Sequence, residues 1–128
     1  MKLNPDCIRD ILISVELNTD ARTHFLYPEE IDKCPNLSNY SDNEIRYHIS
    51  QCAMSNLILS RNEDLAGNIR IMDLTPSGHE FLANMRSDTV WSKTKNIAHE
   101  IGVTSLTALK DVSTAVLTEI IKASLHLN

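Results

Sequence analysis

The amino-acid sequence predicts an α+β fold that is mainly α. Three observations carry this. Apolar residues recur at helical spacing through five stretches, each opened by a residue able to cap a helix. Two short β-compatible runs flank a Gly67-Asn68 step and read as a hairpin. The pieces also follow a fixed order: helix, small strand, short helix, capped helix, hairpin, further helices. With 128 residues the chain has the size of one ordinary domain, long enough to bury roughly two-thirds of its unfolded surface without disulfides or metal. Hydrophobic residues at 42% and charged residues at 23% exclude a disordered or fibrous chain.

The first helix starts at Asn4, whose side chain can cap orphan N–H groups, followed by Pro5 at a position that has no donor to lose. Ile8, Ile11, Leu12 and Val15 fall at i, i+3, i+4 and i+7, one buried face ending near "ELNTD". "RTHFLYP" is closed by Pro28 and reads as a small strand. "EEIDKCPNLSN" has room for a short helix that must stop before Pro35, because the residue preceding proline is pushed out of the α region.

The next helix is the best specified. Ser41 and Glu44 form a capping box, Tyr40 and Ile45 stand where a hydrophobic staple would close, and the start falls near Asp42. Ile45, Ile49 and Cys52 make the buried stripe, leaving Asn43, Arg46, Tyr47, Ser50 and Gln51 outside. Asn56 follows where a chain leaving a helix commonly turns left-handed. The hairpin comes next, from "LILSRN" and "NIRIMDLT". Thr75 then caps a helix opening with Pro76 and carrying Phe81, Leu82 and Met85 inward. Ser87 or Asp88 caps "TVWSKTKNIAHEI", which stops at Gly102, and Thr104 caps a long last helix.

On that last helix Leu106, Leu109, Val112, Val116, Leu117, Ile120, Ile121 and Ala123 spread over far more than the roughly 100° a one-sided helix needs. Leu109, Val116, Leu117, Ile120 and Ile121 are therefore candidates for a homodimer interface, the alternative being that the parent domain covers both sides.

Bulk chemistry narrows the function classes. Apolar runs break well before the roughly 20 residues of a membrane span, so no membrane partner is expected, and "MKLNPDCIRD" shows no secretory signal pattern. Cys7, Cys34 and Cys52 form no C-x-x-C pair, as in a reduced cytoplasmic protein, and read as small buried hydrophobes. His24, His48, His79, His99 and His126 pair with no cysteine at ligand spacing, so neither metal nor cofactor is expected. The sequence offers no phosphate-cradling Gly-rich loop, nucleophile elbow or His-Glu-x-x-His, and the protein reads as no enzyme. Cys52 and His48 stand four residues apart, but Cys52 lies on the apolar stripe, where a thiol stays protonated. His79 and Phe81 read as packing groups and Trp91 as a core anchor. The net charge is −5; residues 1–40 hold 4 basic and 7 acidic groups, 41–75 hold 3 and 5, and 76–128 hold 5 of each.

The element order is that of a winged helix-turn-helix with a two-stranded wing and additional C-terminal helices. "HISQCAMSNLI" from His48 resembles the reading helix of bacterial winged-helix repressors, and "LTPSGHEFL" from Leu74 resembles their Leu-Thr-x-x-Gly motif. Tyr47-His48, Gly78-His79-Phe81-Leu82 and Arg86-Asp88-Trp91-Thr94-Lys95 together resemble a family of short winged-helix proteins found in bacteria and prophages, the YjcQ-like proteins. The resemblance covers nearly the whole chain and implies a winged-helix domain over 1–86 with a helical extension over 87–128 packed on it. It implies no particular activity.

Two functions stand as expectations. The first is a DNA-binding regulator of phage or prophage type, contacting double-stranded DNA through Asn43, Arg46, Tyr47, His48, Ser50 and Gln51, with Arg61 and Arg70 on the wing. The alternative is a protein-contact module, such as a phage-encoded adaptor or inhibitor whose acidic face meets a host protein.

Overall fold

The computed structural model describes residues 1–126. Its order is α1 (Pro5–Asn18), β1 (Phe25–Tyr27), two 3-10 turns (Ile31–Lys33 and Pro35–Asn39), α2 (Asp42–Met54), β2 (Ile58–Ser60), β3 (Ile69–Leu74), α3 (Pro76–Met85), α4 (Asp88–Ile101) and α5 (Leu106–His126). The mainly α, α+β class is thus observed. Asn4 caps α1 by accepting from the N–H groups of Asp6 and Cys7, and Pro5 occupies the first turn. Ile8, Ile11, Leu12 and Val15 are buried on one face, as their spacing dictates.

The three strands form one antiparallel sheet in the order β1-β3-β2. Phe25 faces Ile71 and Tyr27 faces Ile69 on one side. Ile58 faces Leu74 on the other, with an irregularity between Leu59 and Ser60. The short helix expected before Pro35 is instead two 3-10 turns, the second beginning at Pro35 itself. Proline forbids the α region to its predecessor but suits a first helical position, so it divides the segment rather than ending it.

α2 ends where Asn56 adopts φ 58°, the left-handed conformation expected there. The chain then passes under the start of α3. Thr75 donates its hydroxyl to Asn56 O at 2.6 Å and accepts from Gly78 N at 2.9 Å, while its own N–H reaches Leu57 O at 3.0 Å. A Cβ at Gly78 would stand 2.0 Å from that same Leu57 oxygen. The Leu-Thr-x-x-Gly pattern is therefore a close backbone crossing with a helix cap built into it.

Phe81, Leu82 and Met85 are buried as expected. Ser87 caps α4, which stops at Gly102 with φ 72°. The cap of α5 is corrected: Ser105, not Thr104, accepts from Ala108 N at 3.1 Å. α5 packs on α4 and α3 and buries Leu106, Leu109, Ser113 and Val116. This corrects one dimer-interface candidate, since Leu109 lies within the chain's own core, whereas Val116, though buried, lines a groove between α4 and α5. Leu117 and Ile120 are half-buried and Ile121 is exposed.

Candidate functional site

α2 and the β2–β3 hairpin carry the residues selected for nucleic-acid contact. Ser41 caps α2 by accepting from Glu44 N at 3.2 Å. Glu44 turns its carboxylate toward Asn4 Nδ2 at 3.4 Å, so the expected capping box gives way to a link between the starts of α1 and α2. Ile45, Ile49 and Cys52 form the inner stripe. Burial pushes the Cys52 thiol far up, and pushes that of Cys7 to about 12 with help from Glu44 and Asp10. Both remain thiols.

His48 belongs to the same inner face, which corrects its selection as a DNA contact. Its ring is wholly buried. Asn4 N donates to Nε2 at 2.8 Å, and Nδ1 stands 2.7 Å from Glu44 O. Since Nε2 must accept, Nδ1 carries the proton and donates; the ring is a neutral bridge between the two helices. The spacing held this signal, because position 48 lies three after Ile45 and four before Cys52.

Arg46 is engaged within the chain. Its Nε lies 3.0 and 2.9 Å from the two Asp42 oxygens. One terminal nitrogen reaches Glu63 Oε1 at 2.6 Å and the other donates to Gly67 O at 3.0 Å. The guanidinium also lies over the Tyr27 ring at 5.4 Å, and the Tyr27 hydroxyl donates to Asp42 at 2.7 Å. That hydroxyl, and after it Arg46, hold the Asp42 carboxyl below its ordinary value against the opposing effect of burial. Arg46 therefore fastens the hairpin to the helix rather than projecting from it. The Asp42–Arg46 half was legible as an i,i+4 pair; Glu63 and Tyr27 were missed because nothing local in the sequence links them to Arg46.

Seven of the eight selected residues, all but His48, remain at least partly accessible, Arg46 with its side chain 27% exposed. Asn43 and Ser50 are exposed on α2, Tyr47 and Gln51 half-exposed. Arg61 and Arg70 are exposed on the hairpin, held side by side by Arg61 N donating to Arg70 O at 2.9 Å. Neither arginine makes an ion pair among the described residues. Ser50 and Arg61 line a cleft of about 320 Å³ between α2 and the hairpin, with Arg46 and Glu63 on its walls.

The motif after α3 proves to be another joint. Trp91 is buried, its indole N–H donating to Asp6 at 3.1 Å. Lys95 pairs with the same carboxylate at 3.0 Å, and its ammonium lies 5.6 Å from the Trp91 ring centroid. Arg9 pairs with Asp88 at 3.3 Å and Arg86 with Glu16. Trp91 is thus the core anchor expected, whereas His79 stands exposed on α3 rather than packed. Among the described residues no cluster of three or more His, Cys, Asp or Glu side chains could hold a metal, and no helix is long and apolar enough to cross a membrane.

Residues 2–104 match the model of a family described as "Hypothetical protein (DUF2513)". A protein of Haemophilus influenzae, described as "Uncharacterized protein", is 27% identical over 124 residues, covering 94% of this chain and 99% of that one. No solved structure matches.

Proposed function

The chain belongs to the DUF2513 family, and we propose that it is a winged-helix DNA-binding protein acting in the cytoplasm, with α2 as the reading helix and β2–β3 as the wing. One observation carries the reading. α2 presents an uncharged outer face of Asn43, Tyr47, Ser50 and Gln51, beside which the hairpin holds two exposed arginines that make no ion pair among the described residues. Amide and hydroxyl side chains suit base edges, and unpaired arginines suit phosphate. The proposal includes kinship with the YjcQ-like proteins, and with it a regulator of phage or prophage type. Acidity elsewhere on the chain suppresses non-specific binding.

A second reading has its own observation. Asp42 and Glu63 outnumber the Arg46 they share, and with Glu44 and Asp64 they make the N-terminal end of α2 and the hairpin tip acidic. That end suits a basic protein surface better than a phosphate backbone. Selection of a duplex from a random pool at low salt distinguishes the two. DNA recognition predicts an enriched sequence, and Arg61→Ala or Arg70→Ala then lowers the slope of log affinity against log salt by about one. If no duplex is enriched, the DNA reading fails; nuclease-resistant capture of a host protein, lost when Glu63 and Asp64 are replaced, would establish the second.

A further inference from the structure

We propose that the groove between α4 and α5 is the surface on which a second copy of this chain docks, α5 against α5 about a two-fold axis. The proposal is independent of what α2 contacts. α4 and α5 are joined by residues 102–105 and pack along each other, leaving a groove of about 330 Å³ on their outer side. Ile97, Val112, Val116 and Ile120 give it an apolar floor, Ala115 and Ala123 give it low points, and Lys93 and Glu119 complete the lining.

The lining of α5 recurs at 112, 115/116, 119/120 and 123, a seam with the three- and four-residue spacing of a surface that receives another helix. Alternating large and small side chains make ridges and hollows of helical pitch. Ile97 is 39% exposed, and Ala115 and Ala123 lie open. An open apolar groove with a polar margin marks a contact site.

Charge points to a second copy as its occupant. Lys93 makes no ion pair among the described residues, and Glu119 reaches only Lys122, at 3.8 Å, with both of those side chains largely exposed. The groove thus offers one unmatched cation and one weakly held anion. A two-fold axis lets Lys93 of each copy approach Glu119 of the other, satisfying both with one operation.

Sedimentation velocity from low to high micromolar concentration tests this. The expected result is a wild-type dimer and an Ala115→Arg monomer whose circular dichroism and thermal unfolding match those of a folded chain. Lys93→Glu and Glu119→Lys should each raise the dimer dissociation constant by about tenfold or more, because each sets like charges together. The double exchange, Lys93→Glu with Glu119→Lys, should restore association. A wild type that stays monomeric at high micromolar concentration overturns the proposal. So does a dimer indifferent to Ala115→Arg, or a double exchange no better than the single ones.

Discussion

Two crossings of the chain differ in kind: the one where α2 ends beneath α3, and the one where α4 lies along α5. At the first, backbone meets backbone. Leu57 O accepts from Thr75 N, Asn56 O accepts from the Thr75 hydroxyl, and Gly78 is so close to Leu57 that no side chain fits. The fold itself dictates those residues. At the second, side chains meet solvent, and the chain's own packing requires neither an apolar Ile97 nor a small Ala115. Apolar character that the chain does not use for itself concerns something outside it. The polar contacts of the first crossing are architecture, and the apolar seam of the second is where the proposed second copy would dock.

The largest expected effects lie at the closed joints. Gly78→Ala forces a Cβ toward Leu57 O and should cost about 3 kcal/mol, at the upper end for overpacking, because the obstacle is backbone. Urea unfolding should show a lower midpoint at unchanged slope. Ala115→Arg adds far more volume, yet should leave the unfolding of the monomer almost unmoved. Comparable losses in the two variants would break the contrast between the crossings. His48→Phe keeps the ring but leaves the Asn4 N–H without an acceptor, which should cost about 1–3 kcal/mol.

What the sequence made legible follows the same division. The caps at Asn4, Ser41, Thr75 and Ser87, the left-handed Asn56 and Gly102, and the inward faces of α1 and α3 are set by neighbours within one turn, and each was readable. The 3-10 pair around Pro35 was misread because a proline permits a new start as readily as it compels a stop. Ser105 and Thr104 are both competent caps one residue apart, and composition cannot choose between them. At the candidate site the outer face of α2 was legible from periodicity, whereas the capture of Arg46 by Glu63 depends on how the hairpin folds back. Leu109 looked like a surplus apolar residue because no sequence pattern reveals that the chain's own core covers it.

Arg46 gives a smaller and more diagnostic effect. A solvated surface arginine would be replaceable at almost no cost, but here Arg46→Ala should lose about 1 kcal/mol, the sum of two partly exposed ion pairs and a bond to Gly67 O. The pH dependence has a definite sign. The Asp42 carboxyl is held below its ordinary value in the folded chain, first by the Tyr27 hydroxyl. Its contribution is complete above the unfolded value near about 4 and is lost as pH falls through the lowered native value. Tyr27→Phe removes the largest cause, so the stability of that variant should fall less steeply than wild type below that range. An equally steep fall would mean that the network does not hold Asp42.

The smallest expected effect on stability belongs to Gln51, and it tests whether the outer face of α2 is like the closed joint or the open groove. Gln51 is half-exposed and lies on the α2 face opposite Ile45, Ile49 and Cys52. Gln51→Ala should therefore shift unfolding by less than about 0.5 kcal/mol. If α2 reads DNA, the same change should cost on the order of 1–3 kcal/mol at the preferred duplex and much less at unrelated ones, because a lost base contact removes discrimination whereas a lost phosphate contact weakens every sequence alike. Ser50→Ala, on the wall of the cleft shared with Arg61, should follow the same pattern more weakly. Titration of each variant against the selected duplex and a scrambled one separates the outcomes. A stability loss in Gln51→Ala as large as that in Arg46→Ala would make this face another joint. Unchanged stability with unchanged discrimination would mean that α2 does not read bases, and would leave the acidic end formed by Asp42, Glu44, Glu63 and Asp64 as the contact surface.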